Sequence, residues 1–525
     1  MRITNKVMQN NALSNINRNK ELQDDLNNQI ATGKKIMKPS DDPVVAIRAL
    51  RLRGDVNQVN QYYQKNIPDA QAWLSITESA ITTTIDVIKS MVGECEKGSS
   101  DHLQTSDRNK IIDSLKALRD EVYKTGDADY AGRYLFTGFR TDTPLSFGNS
   151  ADLNRRYEIT ETFNFDDCEV MTYVDRANLS TINEANYTSN TISEADVDTV
   201  TYYRYRLSYD EIDGDTAAQL FKRPTAADPG AVAPFFAGLG VDVTIETDPK
   251  AAYSAVGAAD AAKKVLLIPS TGELVMSKDV YEAMNALPEA DKNLNVTYTK
   301  SHWQTTDLRP EHYFYCKADN EKGVPDPDDP TKMLQVEYNP DYRFNLAKNP
   351  DQRIEYQVGF DQSVQVNAYA SDIYQHDIGR DVDEIIKMAE DVSKVEDMVA
   401  RFKNMQGDPA YDQAIVEKDM DAAKKAETFL KDQLQKYFSK YITKSQGYLD
   451  DANEAVTQTG NRDKRVALAE NRLSDQQTTF KTLQSDNEDA DATEVAVQLS
   501  SAEVSYEAAL MATSKMIQST LLNYL

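Results

Sequence analysis

Val495-Ala496-Val497-Gln498-Leu499-Ser500-Ser501-Ala502-Glu503-Val504-Ser505-Tyr506-Glu507-Ala508-Ala509-Leu510 is the stretch whose reading decides the fold. Val495, Leu499, Ala502, Tyr506, Leu510, Thr513, Ile517, Leu521 and Tyr524 recur at steps of three and four, so they share one stripe of a helix. The flanks are small: Ala496, Ser500, Ser501, Ser505, Ala508, Ala509 and Ala512. A narrow stripe with small neighbours buries little alone, and such a helix needs a partner. The opposite end of the chain offers one, with Ile3, Val7, Met8, Leu13 and Ile16, then Leu22, Leu26 and Ile30, among many Asn and Gln. Periodicity alone leaves two readings open. Either the two terminal helices pair with each other and with copies of themselves, or each packs on a globular domain of its own.

The composition narrows the function classes. A chain of 525 residues has room for several domains. A mean hydropathy of −0.60 with 27% charged residues suits an elongated, surface-rich protein. The formal net charge of −27 argues against nucleic-acid binding, which needs a basic face to displace counterions, and against adhesion to an anionic membrane. There is no apolar run of 18 residues, and the N-terminus lacks the short apolar core of a secretory signal, so export with a cleaved signal peptide is not expected. Three widely separated cysteines, Cys95, Cys168 and Cys316, read as ordinary thiols rather than a disulfide framework or a cysteine-rich zinc site.

Along the chain, Gly33 in Ala31-Thr32-Gly33-Lys34-Lys35 stops the first helix. In Ser40-Asp41-Asp42-Pro43 the next one starts, with Asp42 as N-cap and Pro43 in the first turn, where its missing donor costs nothing. This helix runs toward Gly98 with a bend expected near Pro68, and its second half aligns Leu74, Thr77, Ile81, Ile85, Ile88, Val92 and Cys95 on one face. Ile111, Leu115, Leu118 and Val122 mark a return helix. Gly132-Arg133-Tyr134-Leu135-Phe136-Thr137-Gly138 then reads as strand and turn. Short β-rich runs follow, among them residues 200–205, 241–245 and 265–268, and a last strand pair at 354–358 and 364–367 leads back to helix. Val466, Ala469, Leu473, Gln476, Phe480 and Leu483 repeat in heptad steps. Asp486, Glu488, Asp489 and Asp491 are expected to open the terminal helix, where its dipole favours negative charge.

The fold class is therefore α+β, an elongated nested architecture in which paired N- and C-terminal helices form a coiled-coil-like module around a β-rich central insert. Three regions are expected: 1–38 with 487–525 as terminal polymerisation helices, 39–147 with 351–486 as a helical domain with short strands, and 148–350 as a β-rich surface domain.

Several strings taken in order at both ends carry a resemblance. Met1-Arg2-Ile3-Thr4, the 31–35 joint, the Pro39-to-Pro43 cap, the 132–138 segment, Gly460-Asn461-Arg462, Asp491-Ala492, Tyr506-Glu507-Ala508-Ala509-Leu510 and Leu521-Leu522-Asn523-Tyr524-Leu525 resemble the flagellar hook-associated protein 3 family. These are the outer hook–filament junction proteins of the flagellin superfamily. The resemblance covers about the first 145 and last 70 residues, is weaker over 354–400, and leaves the middle aside. It implies a structural protein without catalysis, exported unfolded through the flagellar type III channel on an uncleaved signal, with an export chaperone. It further implies self-assembly into a ring between a hook-side hook-associated protein and flagellin or the inner junction protein. The implied assembly interface is Ile3, Val7, Met8, Leu22, Leu26, Ile30, Val495, Leu499, Tyr506, Leu510, Ile517 and Leu521. Two features depart from the family's pattern: a larger central domain, and a Lys- and Asp-rich segment from about Gly407 to Gly447 that reads as an insertion. Flagellin itself, the filament subunit, shares the nested ends and is the alternative; an adhesin displayed on the insert is a second.

The residues also speak to chemistry. His102, His302, His312 and His376 include no His-Glu-x-x-His pair. His302, His312 and Cys316 read as strand or loop residues rather than a metal site. Asp326-Pro327-Asp328-Asp329-Pro330, with Glu337, lacks the turn glycine of a calcium loop and has proline at a ligand position. No phosphate-cradling glycine loop and no Gly-x-Ser-x-Gly elbow occurs. No catalytic residue, metal or cofactor is expected.

Overall fold

Asp42 sits in extended backbone immediately before Pro43, and its Oδ1 accepts from the amides of Val44 and Val45 at 2.9 and 3.1 Å. The cap thus satisfies two of the donors that a helix start leaves unpaired. The computed structural model describes residues 5–100, 103–148, 152–176, 179–214, 219–222, 235–258, 263–320, 324–325, 327, 333–343 and 352–522. The N-terminal elements are α1 (Asn5–Thr32), α2 (Pro43–Gln61), α3 (Ile67–Gly98) and α4 (Thr105–Gly126). Between α2 and α3, Tyr62–Asn66 forms a π turn, which is how the helix accommodates Pro68 where a bend was expected.

The β-containing centre follows with β1 (Asp129–Tyr130), β2 (Arg133–Tyr134), β3 (Tyr157–Phe163), β4 (Glu169–Asp175), β5 (Asp198–Arg206), β6 (Gln219–Lys222) and β7 (Val243–Ile245). After α5 (Pro249–Gly257) come β8 (Val265–Ile268), β9 (Glu273–Met276), α6 (Lys278–Asn285), β10 (Leu294–Lys300), β11 (Tyr315–Asp319) and β12 (Gln335–Tyr338). The hairpin β13 (Glu355–Gly359) and β14 (Gln362–Gln365) leads to α7 (His376–Met405), α8 (Gln413–Glu488) and α9 (Ala492–Leu522). The fold is α+β, with helices at both ends and strands between them. The segment from Gly407 to Gly447, read as an insertion, is mostly the first half of α8. Val416, Met420, Ala423, Ala426, Leu430 and Leu434 are buried along it at helical spacing.

Two compact units divide the chain: Met1–Gln71 with Tyr356–Val364 and Lys464–Leu525, and Ala72–Glu355 with Gln365–Asp463. In this division residues 39–71 and 464–486 go with the terminal helices.

The larger unit is organised by two five-stranded sheets, in the orders β12-β11-β3-β10-β6 and β4-β5-β9-β8-β7. Pairing is antiparallel except between β7 and β8. In β3, Tyr157, Ile159, Glu161 and Phe163 are buried while the residues between them are half-buried, the alternation of a strand with one face on a core. That core joins Ile159, Val296, Tyr298 and Cys316 of one sheet to Tyr205, Val265, Leu274 and Met276 of the other. In the same unit Leu74, Thr77, Ile81, Ile85, Ile88 and Cys95 are buried as one face of α3, as their spacing predicts. The three cysteines are free thiols, and burial pushes Cys95 up to about 12.

Charge is also buried here. Arg204, 2% exposed, meets Glu169 at 2.7 Å, Glu384 at 2.5 Å, and Glu273. Burial alone would push the Glu384 carboxyl up, but Arg204 and Arg206 together hold it down at about 2. An internal cation in contact with three carboxylates resists desolvation only because its partners are fixed around it.

Candidate functional site: the paired terminal helices

The terminal helices meet inside the smaller unit, and a joint at their mouth fixes their register. Gly33 has φ +69°, a left-handed conformation that suits glycine and ends α1. The chain leaving it pairs with the chain between α8 and α9. Lys34 and Asp489 form an antiparallel bridge, the Lys35 amide donates to the Glu488 carbonyl at 2.7 Å, and the Ala490 amide donates to the Gly33 carbonyl at 2.9 Å. Side chains reinforce it: Lys34 Nζ lies 2.5 Å from Asp489 Oδ1, and Arg53 Nε and Nη2 reach the two oxygens of Glu488 at 2.7 and 2.6 Å. Arg53, then burial set against it, and Lys34 leave the Glu488 carboxyl below the ordinary range; Asp489 raises Lys34.

The acidic joint therefore divides its labour. Asp491 caps α9, accepting from the amides of Thr493 and Glu494 at 2.8 and 3.2 Å. Glu488 and Asp489 were expected to face the helix dipole and instead hold cations from the N-terminal segment. Part of the sequence signal for this was available, since Lys34 and Lys35 follow the first helix stop directly, whereas nothing local singles out Arg53.

Beyond the joint, α1 lies along α9. Leu26, Val495 and Ala502 form a small buried cluster, with Ala490 and Leu499 packed on it. Tyr506 is half-buried. On α1 the residues turned inward are Ala12, Ile16, Asn19, Gln23, Leu26 and Gln29, at steps of three and four. Half of that seam is polar. Val7, Met8, Leu22 and Ile30 are instead exposed, at 47, 37, 49 and 44%, and so is Leu510 at 42%. These four therefore take no part in the seam within the chain and face outward from it. Backbone geometry at the joint sets which face of α1 looks at α9, and it turns Leu26 in and Leu22 and Ile30 out. Ile3 lies outside the described residues, as do the side chains of Ile517 and Leu521, whose backbone is helical within α9.

Sequence reasoning missed a second stripe. Val497, Val504 and Met511 are 67, 68 and 67% exposed at seven-residue spacing on α9, and Val44, Ile47 and Leu50 are 67, 57 and 66% exposed on α2. The heptad step of Val497, Val504 and Met511 is the signal that carries it. Isolated exposed aliphatics are ordinary, but helical rows of them on a surface of this polarity mark a face made to be covered.

The other candidate residues are placed elsewhere. His312 is buried with Nε2 3.1 Å from the Pro144 carbonyl, and burial lowers it to about 4. His302 is exposed, and among the described residues no cluster of three or more His, Cys, Asp or Glu is set to hold a metal ion. Glu337 accepts from the Tyr315 hydroxyl at 2.6 Å, while the 326–330 run lies outside the described residues apart from Pro327. Among the described residues no helix is long and apolar enough to cross a membrane.

Residues 3–141 match the family model of the bacterial flagellin N-terminal helical region. Flagellar hook-associated protein 3 of Salmonella typhimurium is 28% identical over 143 residues, 27% of this chain and 45% of that protein. Its counterpart in Escherichia coli is 30% identical over 116 residues, 22% of this chain and 36% of that protein. A flagellin of Clostridium tyrobutyricum is 29% identical over 122 residues, 23% of this chain and 32% of that protein. The aligned stretches thus span less than half of each relative.

Proposed function

We propose that this chain, whose residues 3–141 match the bacterial flagellin N-terminal helical region, is a structural component of the bacterial flagellum that joins hook to filament. The observation that carries the reading is the division of α1 and α9 into a thin, half-polar seam and outward rows of large aliphatics. Paired helices with so little buried between them gain most from neighbours that cover their outer faces, so ordering of the ends is coupled to assembly. Copies of the same chain in a ring are the partners this favours, with a hook-side hook-associated protein below and flagellin or the inner junction protein above. In this reading 1–38 with 487–525 polymerise, 39–147 with 351–486 form the layer around them, and 148–350 face solvent. The protein acts outside the cell, reaching the flagellum by type III export with a chaperone and without a cleaved signal peptide, and it is not an enzyme.

Electron microscopy of flagella from a strain lacking this chain tests the proposal. Bare hooks with filament protein shed to the medium are the expected outcome. Hooks bearing normal filaments would overturn the reading. Hooks that bear no filament, with no other filament protein made, would favour flagellin, as would thousands of copies per flagellum.

A further inference from the structure

Within the larger unit a cavity of about 290 Å³ opens where β4, β5 and α5 face α7 and α8. Its size is at the lower edge of the roughly 300–1,000 Å³ usual for small-molecule sites, which suits one ring rather than a chain of them. Tyr173, Tyr202, Tyr253 and Tyr437 supply aromatic surface to its wall. The plate is held in place: the Tyr202 and Tyr253 rings stack with centroids 4.6 Å apart, and the Tyr253 hydroxyl donates to Glu273 Oε2 at 2.5 Å.

The polar part of the wall is incomplete. Arg176 is 3% exposed and gives Asp391 a bond of 2.7 Å from Nη2, yet its Nε and Nη1 have no acceptor. Gln433, 7% exposed, donates to the Thr172 carbonyl and leaves its Oε1 without a donor. Buried polar groups are nearly always paired, so unmade bonds on both sides of one cavity wall point to a missing occupant. Its chemistry follows from what is unmet. The charge of Arg176 is already answered by Asp391, and that of Arg204 by Glu169, Glu273 and Glu384, so no buried cation asks for an anion. What remains is directional: the two Arg176 nitrogens and Arg380 Nε that donate, and one oxygen that accepts. A carboxylate has no proton to give Gln433, and a phosphate brings a charge that no unanswered buried cation on this wall balances. A hydroxyl both gives and takes, and the apolar C–H face of a sugar ring covers aromatic surface.

We infer that this cavity binds a single neutral hexopyranose ring, the terminal sugar of a glycan, its hydroxyls meeting Arg176 and Gln433 and one ring face lying on the tyrosines. Saturation-transfer NMR and calorimetry on the full chain, with the methyl glycosides of glucose, galactose, mannose and N-acetylglucosamine, test it. At least one is expected to bind saturably in the millimolar range or tighter. Tyr173→Ala and Gln433→Met are expected to weaken that binding about tenfold in samples whose circular dichroism shows the native fold, since loss of one stacking or hydrogen-bonding contact is of that order. Absence of saturable binding by all four sugars overturns the proposal. So does equal binding by wild type and both variants, or inorganic phosphate displacing the sugar at equal concentration.

Discussion

Arg53 on α2 grips Glu488 at the end of α8 with two parallel bonds, Nε to Oε1 at 2.7 Å and Nη2 to Oε2 at 2.6 Å, across 435 residues of chain. Glu488 is 3% exposed on its side chain and Arg53 is 54%. One partner thus stays wet, and the pair acts as a latch for the joint rather than a buried ion pair. A two-pronged guanidinium fixes orientation as well as distance, and Lys in its place keeps the charge but not the geometry.

Arg53→Lys is accordingly expected to loosen the joint. The loss is about 1 kcal/mol, because Arg53 is half in water. Arg53 holds the Glu488 carboxyl below its ordinary value, so the contribution is present above pH 4.5 and disappears as pH falls through the lowered folded-state value. Urea unfolding followed by helix circular dichroism at pH 7 and pH 2 checks both points. A wild-type advantage that persists at pH 2 would refute the latch.

Glu161 carries the opposite sign. It is 4% exposed on the inner face of β3, and burial pushes its carboxyl up to about 7 although the Ser208 amide, the Ser208 hydroxyl and the Tyr298 hydroxyl all donate to it. A raised carboxyl favours the protonated folded state. Its stabilising effect is complete below the unfolded value of 4.5 and is lost as pH rises to about 7. Relative to Glu161→Gln, wild type should therefore lose on the order of 3 kcal/mol between pH 4 and pH 8. Thermal melts of the two proteins across that range measure it, and parallel curves would contradict it.

The contrast between these two residues says what the sequence made legible. Caps, stops and the nested order of helix, strand and helix were readable because each rests on local rules: Asp42 before Pro43, Gly33 after the periodic run, Leu74 to Cys95 at helical steps. The face that α1 turns to α9 was not readable. It is set by the Lys34–Asp489 bridge, a contact between residues 455 apart, and that bridge turns Asn19 and Gln23 inward and leaves Leu22 outside. Nor was the insert's architecture readable, since strand order such as β12-β11-β3-β10-β6 depends on long-range pairing that alternation within a strand does not specify.

The thin seam has a direct consequence for proteolysis. Leu26 on α1 and Val495 and Ala502 on α9 are the fully buried apolar side chains described between the two helices. Ordering a residue costs roughly 1–2 kcal/mol of backbone entropy, which three such contacts do not offset over two helices of this length. Dilute monomer should be trimmed by limited proteolysis to a core beginning near Lys38 and ending near Asp486. Protection of both ends in a sample shown to be monomeric would contradict it.

Leu510 separates assembly from folding. It is 42% exposed on α9, so in the single chain it contributes little, and covering what remains exposed is worth about 1 kcal/mol per subunit. An aspartate there is solvated in the monomer but places an unpaired charge inside any helix contact that forms over it, at a cost of several kcal/mol. Leu510→Asp should therefore leave monomer stability within about 0.5 kcal/mol of wild type, as exposed substitutions generally do. It should nevertheless abolish incorporation at the hook tip, and with it motility. Val504→Asp, on the 68% exposed row of the same helix, should behave alike if that row is also covered by neighbours. Melting of the purified monomers, read beside immunogold labelling of hook tips, tests both substitutions. A strongly lowered melting temperature for Leu510→Asp would mean that α9 is held by its own chain, and normal labelling would mean that this face meets no neighbour.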